Sequence, residues 1–172
     1  ASKFYGDFGL YAQTGEAAIT NDKVDVGASY AGFNLGYKFT NPFKAELGFE
    51  YLSGKDQNDT DTKVKSFTPL FGTNHGFNGL MDYFYVGNHK NSVGLQDFYT
   101  KFIYDKNKWQ VTLAPHLFYS AASVYNMTNL EEQDNYLGTE IDLTATYKLD
   151  KNFLITGGIS KMFASDTMEI LK

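Results

Sequence analysis

In the stretch Lys44-Ala45-Glu46-Leu47-Gly48-Phe49-Glu50-Tyr51 every second residue is apolar or aromatic. Successive side chains of an extended strand point to opposite faces. Ala45, Leu47, Phe49 and Tyr51 therefore share an apolar face, and Lys44, Glu46, Gly48 and Glu50 share the other. Three charges on one face of a single strand do not belong in a packed sandwich core, where each would need a partner to offset its lost hydration. That face must touch water while the opposite face avoids it. A barrel wall between lipid and water meets both demands.

The period of two continues outward from this stretch. Upstream, Phe4, Gly6, Phe8, Leu10 and Ala12 oppose Tyr5, Asp7, Gly9, Tyr11 and Gln13. Phe33, Leu35, Tyr37 and Phe39 oppose Asn34, Gly36 and Lys38, whereas Val24 and Val26 carry the other parity, which predicts a bulge near Gly32. Downstream, Phe98, Thr100, Phe102 and Tyr104 oppose Asp97, Tyr99 and Lys101. After Asp105-Lys106-Asn107-Lys108, Trp109, Val111, Leu113, Pro115, Leu117 and Tyr119 oppose Gln110, Thr112 and His116, which reads as a hairpin. A last pair sets Ile141, Leu143, Ala145 and Tyr147 against Glu140, Asp142, Thr144, Thr146 and Lys148, turns at Asp150-Lys151-Asn152 and resumes at Phe153.

The connections alternate in length. Tight turns fall near residues 41, 106 and 151; long polar stretches cover 53–92 and 120–135, with a shorter one near 14–22. Outer-membrane barrels have short turns at one end and long loops at the other. Phe39, Phe43, Tyr104, Trp109, Tyr147 and Phe153 flank the tight turns, the position of an interfacial aromatic girdle. A full crossing within 77–86 would put the turn at 106 on the long-loop side, so 53–92 reads as one long external loop. It either includes a short hairpin or folds inward to narrow the lumen. By the same parity the strand at 153–163 heads outward. The expectation is an all-β, antiparallel transmembrane β-barrel, with residues 1–172 a single barrel unit that forms an incomplete C-terminal segment of a longer porin. The remaining strands of the same barrel, or another outer-membrane chain, would complete it, because an open edge leaves backbone groups unsatisfied in lipid.

Composition narrows the function classes. The chain has 172 residues, 42% hydrophobic and 17% aromatic, yet its mean hydropathy is −0.37, so the apolar residues are interleaved with polar ones. All 15 basic residues are Lys against 20 acidic ones, a net charge of −5, which argues against a nucleic-acid partner. Cys is absent, excluding disulfides and thiolate chemistry. No GxSxG, P-loop or CxxC occurs and no carboxylates pair in an evident cleft, so the chain does not read as an enzyme and implies no cofactor. No HxxxH or HExxH spacing points to a metal. Lys55-Asp56-Gln57-Asn58-Asp59-Thr60-Asp61-Thr62 has acidic spacing like a calcium loop, but Asp61 stands where Gly is required and Phe67 at the twelfth place, so it reads as a solvated loop.

The run Ser66-Phe67-Thr68-Pro69-Leu70-Phe71-Gly72-Thr73-Asn74-His75-Gly76-Phe77-Asn78-Gly79-Leu80-Met81-Asp82-Tyr83-Phe84-Tyr85-Val86-Gly87-Asn88 resembles the corresponding stretch of the alginate-export family of outer-membrane porins, in the form carried by Bacteroidetes. Gly48-Phe49-Glu50-Tyr51-Leu52-Ser53-Gly54-Lys55-Asp56 and Met162-Phe163-Ala164-Ser165-Asp166-Thr167-Met168-Glu169 are similar to that family in the same order. The resemblance implies a bacterial outer-membrane barrel, bounded by outer-membrane lipid, that passes small solutes or saccharides by diffusion. The arginine lining that the alginate exporter uses for a polyanion has no counterpart here, since Arg is absent.

Two groups of residues are the expected site. Glu46, Glu50, Asp97, Lys101, His116, Glu140, Asp142 and Lys148 share the polar face and would line the pore, either setting ion preference or only solvating the wall. His116 is expected there as a wetted wall residue. Phe67, Phe71, Asn74, His75 and Asp82 fall in the long loop near the pore mouth, where its aromatics either stack against sugar rings or form a hydrophobic cluster that stiffens the loop. Two other readings are a soluble all-β carbohydrate-binding module and a structural barrel subunit of a larger outer-membrane assembly.

Overall fold

The alternating segments become strands, and each long strand pairs with the next long strand in the chain, across short turns at 39–42, 107–108 and 149–153 and across long connections at 53–94 and 120–135. The computed structural model describes residues 3–19, 22–39, 41–70, 72, 75–76, 78–84 and 92–171. The strands are β1 (Phe4–Ile19), β2 (Asp22–Lys38), β3 (Phe43–Leu52), β4 (Leu95–Lys106), β5 (Trp109–Tyr119), β6 (Tyr125–Asn126), β7 (Glu131–Glu132), β8 (Tyr136–Lys148) and β9 (Leu154–Ala164). A short helix α1 (Asp166–Ile170) follows, its first turn capped by the Ser165 hydroxyl, which accepts the Met168 N–H. Seven strands form one antiparallel meander in the order β1-β2-β3-β4-β5-β8-β9, with β1 and β9 at its edges; β6 and β7 pair only with each other inside the 120–135 connection.

The register brings like residues together on each face. Phe33 sits between Phe8 and Phe49, Phe49 beside Phe98, and Leu143 between Leu113 and Ile159. Among the described residues no protein layer covers this apolar face, and Phe8 and Ile159 are 81% and 71% exposed. So large a bare apolar surface is a membrane surface in a folded protein. At the short-turn end the rings of Phe43 and Tyr104 lie 5.4 Å apart and those of Trp109 and Tyr147 4.8 Å apart, a belt at the height where amphipathic rings meet headgroups.

Three short connections, at residues 39–42, 107–108 and 149–153, are at that end; the long ones, 53–94 and 120–135, are at the other, together with the short link between Ile19 of β1 and Asp22 of β2. Asn107 turns the β4–β5 hairpin at φ 58, a left-handed conformation that Asn tolerates. The buried apolar cluster of Ala28, Leu52, Phe67, Leu95, Phe118, Leu137 and Met168 lies at the long-connection end.

Two expectations are corrected. No bulge occurs near Gly32: the β1–β2 register runs unbroken from Phe4↔Tyr37 to Ile19↔Asp22. Val24 and Val26 keep the parity of the polar face, and they are apolar because the next connection lies beside them. There Gly27 N–H donates to Val64 O at 2.9 Å and Val64 N–H donates to Asp25 O at 2.8 Å. The irregularity falls instead at Phe118/Tyr119, where Tyr119 pairs with Tyr136 and Leu137 is passed over beside Gly138, whose φ is 148. Nor is 14–22 a loop, for β1 and β2 continue to Ile19 and from Asp22. These strands of 16 and 17 residues exceed the roughly 9–11 that a tilted crossing needs. Their far ends stand clear of the bilayer and carry the strand-like contact with Val64.

Candidate functional site

All eight polar-face residues expected from the sequence lie on one face of the sheet. Glu46 is directly opposite Lys101, Glu50 opposite Asp97, and His116 opposite Glu140. Lys148 stands apart at the short-turn end, where Asp105 is 3.6 Å from both its Nζ and that of Lys44.

The connection 53–94 supplies the other half of the site. Its first part is tied to the strand ends: the Ser53 hydroxyl accepts the Ser29 N–H at 2.9 Å and donates to Lys65 O at 2.7 Å. Gln13 both donates to Thr68 O at 2.6 Å and accepts the Thr68 N–H at 3.1 Å. Asp59 and Asp61 bind Lys65 at 2.6 and 3.3 Å, and Lys55 donates to the Asp61 carbonyl. The Lys65 hydrogen bond lowers the Asp59 pKa, the Lys63 backbone N–H followed by Lys65 lowers that of Asp61, and the Asp59 hydrogen bond raises that of Lys65.

The chain then turns onto the polar face, the inward course that the sequence left open as one of two continuations. Asn78 Nδ2 donates to Glu50 Oε2 at 2.9 Å and to Asp97 Oδ2 at 3.3 Å. The Leu80 N–H is shared between Glu140 Oε1 at 2.7 Å and Asp142 Oδ2 at 3.2 Å, and the Met81 N–H reaches the same Glu140 oxygen at 2.9 Å. Gly79 makes this approach possible: its φ is 79, and a Cβ there would lie 2.5 Å from the Glu140 carboxylate. Successive N–H groups turned toward carboxylates form an anion-binding concavity built from backbone alone.

Beneath this segment Asp97, His116, Glu140 and Asp142 are buried. His116 Nδ1 lies 3.0 Å from both Asp97 carboxylate oxygens, and its ring stacks with those of Tyr99 and Phe118 at 5.3 and 5.6 Å. At 6% exposed it is a buried residue packed under segment 78–81, not a wetted wall residue, and only a small part of it reaches the cleft. What the segment leaves free is an open cleft of about 590 Å³ on which Glu46, Glu50, Lys101, Gln110, Thr112 and Thr144 converge. Glu46 accepts the Tyr5 hydroxyl at 2.8 Å, and Lys101 Nζ sits 5.0 Å from the centre of the Tyr99 ring.

Of the pore-mouth residues, Phe67 is buried with its ring 5.5 Å from that of Tyr30; farther along the same loop, outside that group, Phe84 packs on Phe118 at 4.6 Å. These two belong to a hydrophobic cluster that stiffens the loop. His75 Nδ1 pairs with Asp82 Oδ2 at 2.7 Å while Asp82 Oδ1 accepts the Gly76 N–H at 3.2 Å, bracketing the inward turn. Phe71 and Asn74 lie outside the described residues. Among the described residues no three His, Asp or Glu side chains are arranged to hold a metal ion.

The docking residues Asn78, Gly79, Leu80 and Met81 were missed by sequence reasoning, since two of the three donors are featureless backbone N–H groups and Gly79 only lets them in. The available signal was indirect. Glu50, Asp97, Glu140 and Asp142 crowd one face with too few cations to partner them, so a donor had to come from elsewhere.

An antiparallel meander that keeps water on one face and leaves the other apolar and bare is the wall of a transmembrane β-barrel, since every interior strand finds its hydrogen bonds within the sheet. That is the class of the protein. Its residues 3–170 match the alginate export family, and the chain belongs to that family, whose members are outer-membrane transport proteins. No curated protein matches the chain.

Proposed function

We propose that the protein is a porin-type channel of the bacterial outer membrane through which small solutes or saccharides diffuse passively, with segment 78–81 narrowing the lumen. The observation that carries this reading is the docking of that segment on carboxylates from β3, β4 and β8, with the open cleft of Glu46, Glu50 and Lys101 beside it. A segment held against the inner wall by many charge-assisted bonds sets a fixed aperture. Charges that remain in water beside it act on passing ions. Such transport needs no catalytic group and no cofactor; lipid meets the bare face and the solute meets the polar one. The eight polar-face residues divide accordingly: Glu46 and Lys101 act on the permeant ion or solute, Asp97, His116, Glu140 and Asp142 hold the aperture, Glu50 does both, and Lys148 marks the short-turn exit.

The test is single-channel conductance of the protein in planar bilayers. Steady open steps are expected, with cation preference falling in Glu46→Gln and rising in Lys101→Gln. Absence of any open step would remove the channel reading and favour a structural barrel subunit of a larger outer-membrane assembly.

A further inference from the structure

Segment 78–81 docks on β3, β4 and β8, and among the described residues Phe67 and Thr68 reach the polar face of β1 and β2 only at its far end, beside Tyr30 and Gln13; the region between is floored with glycine. Gly9 pairs with Gly32, Gly36 with Tyr5, and Gly48 with Asn34 on one side and Tyr99 on the other. Each of these glycines meets a tyrosine. A Cβ at Gly36 would run into the Tyr5 ring, one at Gly48 into the Tyr99 ring and one at Gly32 into the hydroxyl end of Tyr30; at Gly9 it would lie 3.3 Å from the Tyr11 ring. A ring that fits only where a side chain is missing lies against the backbone; Tyr99 also stacks on His116 and Tyr30 packs on Phe67, while Tyr11 is 63% exposed and offers its face to the space above the sheet. Tyr11 and Tyr30 are direct cross-strand partners with ring centres 5.5 Å apart.

Between Tyr11, Tyr30 and Tyr99 is a hollow of about 160 Å³ whose polar residues are Asp7, Asn34 and Glu50. All three offer acceptor oxygens, and Asn34 Oδ1 is buried with no hydrogen-bond partner among the described residues. The described lining holds no cationic group.

We propose that this hollow is a subsite for a neutral saccharide. Aromatic faces suit the C–H side of a sugar ring, and Asp7, Asn34 and Glu50 accept from its hydroxyls. The lining holds two carboxylates, and the neighbouring cation, Lys101, lies outside it beside the Tyr99 ring; the net negative charge disfavours a uronate, so the site selects uncharged sugar over polyuronate. The inference rests on the channel reading and names the solute class for it.

The experiment is block of the ion current by maltohexaose and by an oligouronate of equal length, on the protein in planar bilayers. Maltohexaose should produce transient closures and the oligouronate should block more weakly. Tyr11→Ala should raise the half-blocking concentration of maltohexaose by about tenfold, the loss of one stacking contact. Tyr11→Phe, which keeps the ring and loses only the hydroxyl, should leave it nearly unchanged, and Asp7→Ala should weaken it. Open steps that ignore maltohexaose, stronger block by the oligouronate, or Tyr11→Ala channels blocked as before would each overturn the subsite while leaving the channel standing. Absence of open steps in the unaltered protein would overturn both.

Discussion

Glu140 accepts the Leu80 N–H at 2.7 Å through the same oxygen that takes the Met81 N–H at 2.9 Å. Hydrogen bonds to a charged group contribute roughly 1.5–3 kcal/mol each, and with Glu140 gone the Met81 N–H loses its acceptor while that of Leu80 keeps only Asp142 at 3.2 Å, so the docking equilibrium of the segment shifts by on the order of tenfold or more. Glu140→Ala should therefore enlarge the single-channel conductance step and expose residues 78–84 to limited proteolysis. Glu140→Gln keeps a carbonyl acceptor and should fall between. An unchanged step together with unchanged cleavage would mean that Asn78, not the N–H pair, holds the aperture.

Tyr99 occupies the space that a Cβ on its cross-strand partner Gly48 would fill. Overpacking of this kind costs about 1–3 kcal/mol, and here the displaced ring also loses its stack on His116. Gly48→Ala should lower the temperature at which the folded barrel loses its compact mobility in gel electrophoresis. Adding Tyr99→Ala should restore part of the loss, a coupling of about 0.5–3 kcal/mol for residues in contact. Strictly additive losses would show that the ring does not rest on the glycine.

The two faces of the sheet were legible because β1, β3, β4, β5, β8 and the later half of β2 state their sidedness at period two, whereas β9, with Lys161 on the apolar face and Met162 on the polar one, takes its faces from its register with β8. The turn ends were legible for the same reason, through the aromatics beside them. Val24 and Val26 misled because an apolar residue at a polar-face position can mean a change of register or a change of cover, and only the fold, by bringing Val64 alongside, tells which. The buried state of His116 was hidden more deeply. Its partner Asp97 is visible as a polar-face residue, but the segment over them is held by the Asn78 amide and two backbone N–H groups from a distant loop, and backbone donors leave no mark in the side chains. The alternation also gave no hint that tyrosines at Tyr5, Tyr30 and Tyr99 would lie on glycines, since that pairing is set across strands or between alternate residues of one strand.

In the 53–70 part of the long connection, outside the membrane, stability should depend on pH in a definite sense. Asp59 and Asp61 have depressed pKa values, so their contribution is present above the ordinary carboxylate value of about 4 and is lost as pH falls through the lower folded values. Lys65 has a raised pKa, so its contribution is present below about 10.4 and is lost as pH rises through the higher folded value. Hydrogen exchange at the Asp61 and Lys63 amides, which donate to Asp59 and Asp61, should be most protected between those limits after correction for intrinsic exchange rates. Lys65→Met should reduce protection throughout that range. Protection that persists in Lys65→Met would assign the turn's order to the Asp side chain–backbone bonds alone.

Leu143 and Thr144 are consecutive residues of β8 that face opposite solvents, Leu143 between Leu113 and Ile159 on the bare apolar face and Thr144 in the cleft beside segment 78–81. A lysine on the lipid face near mid-depth costs roughly 2–4 kcal/mol, whereas lumen positions tolerate charge. Leu143→Lys should destabilise the protein by that amount in urea unfolding from lipid vesicles, and Thr144→Lys should change stability little while lowering cation preference in the open channel. The comparison separates a membrane wall from a soluble sheet within a single strand. If the bare face met water, Leu143→Lys would be the harmless change, because a solvated lysine replacing an exposed leucine removes apolar surface from water.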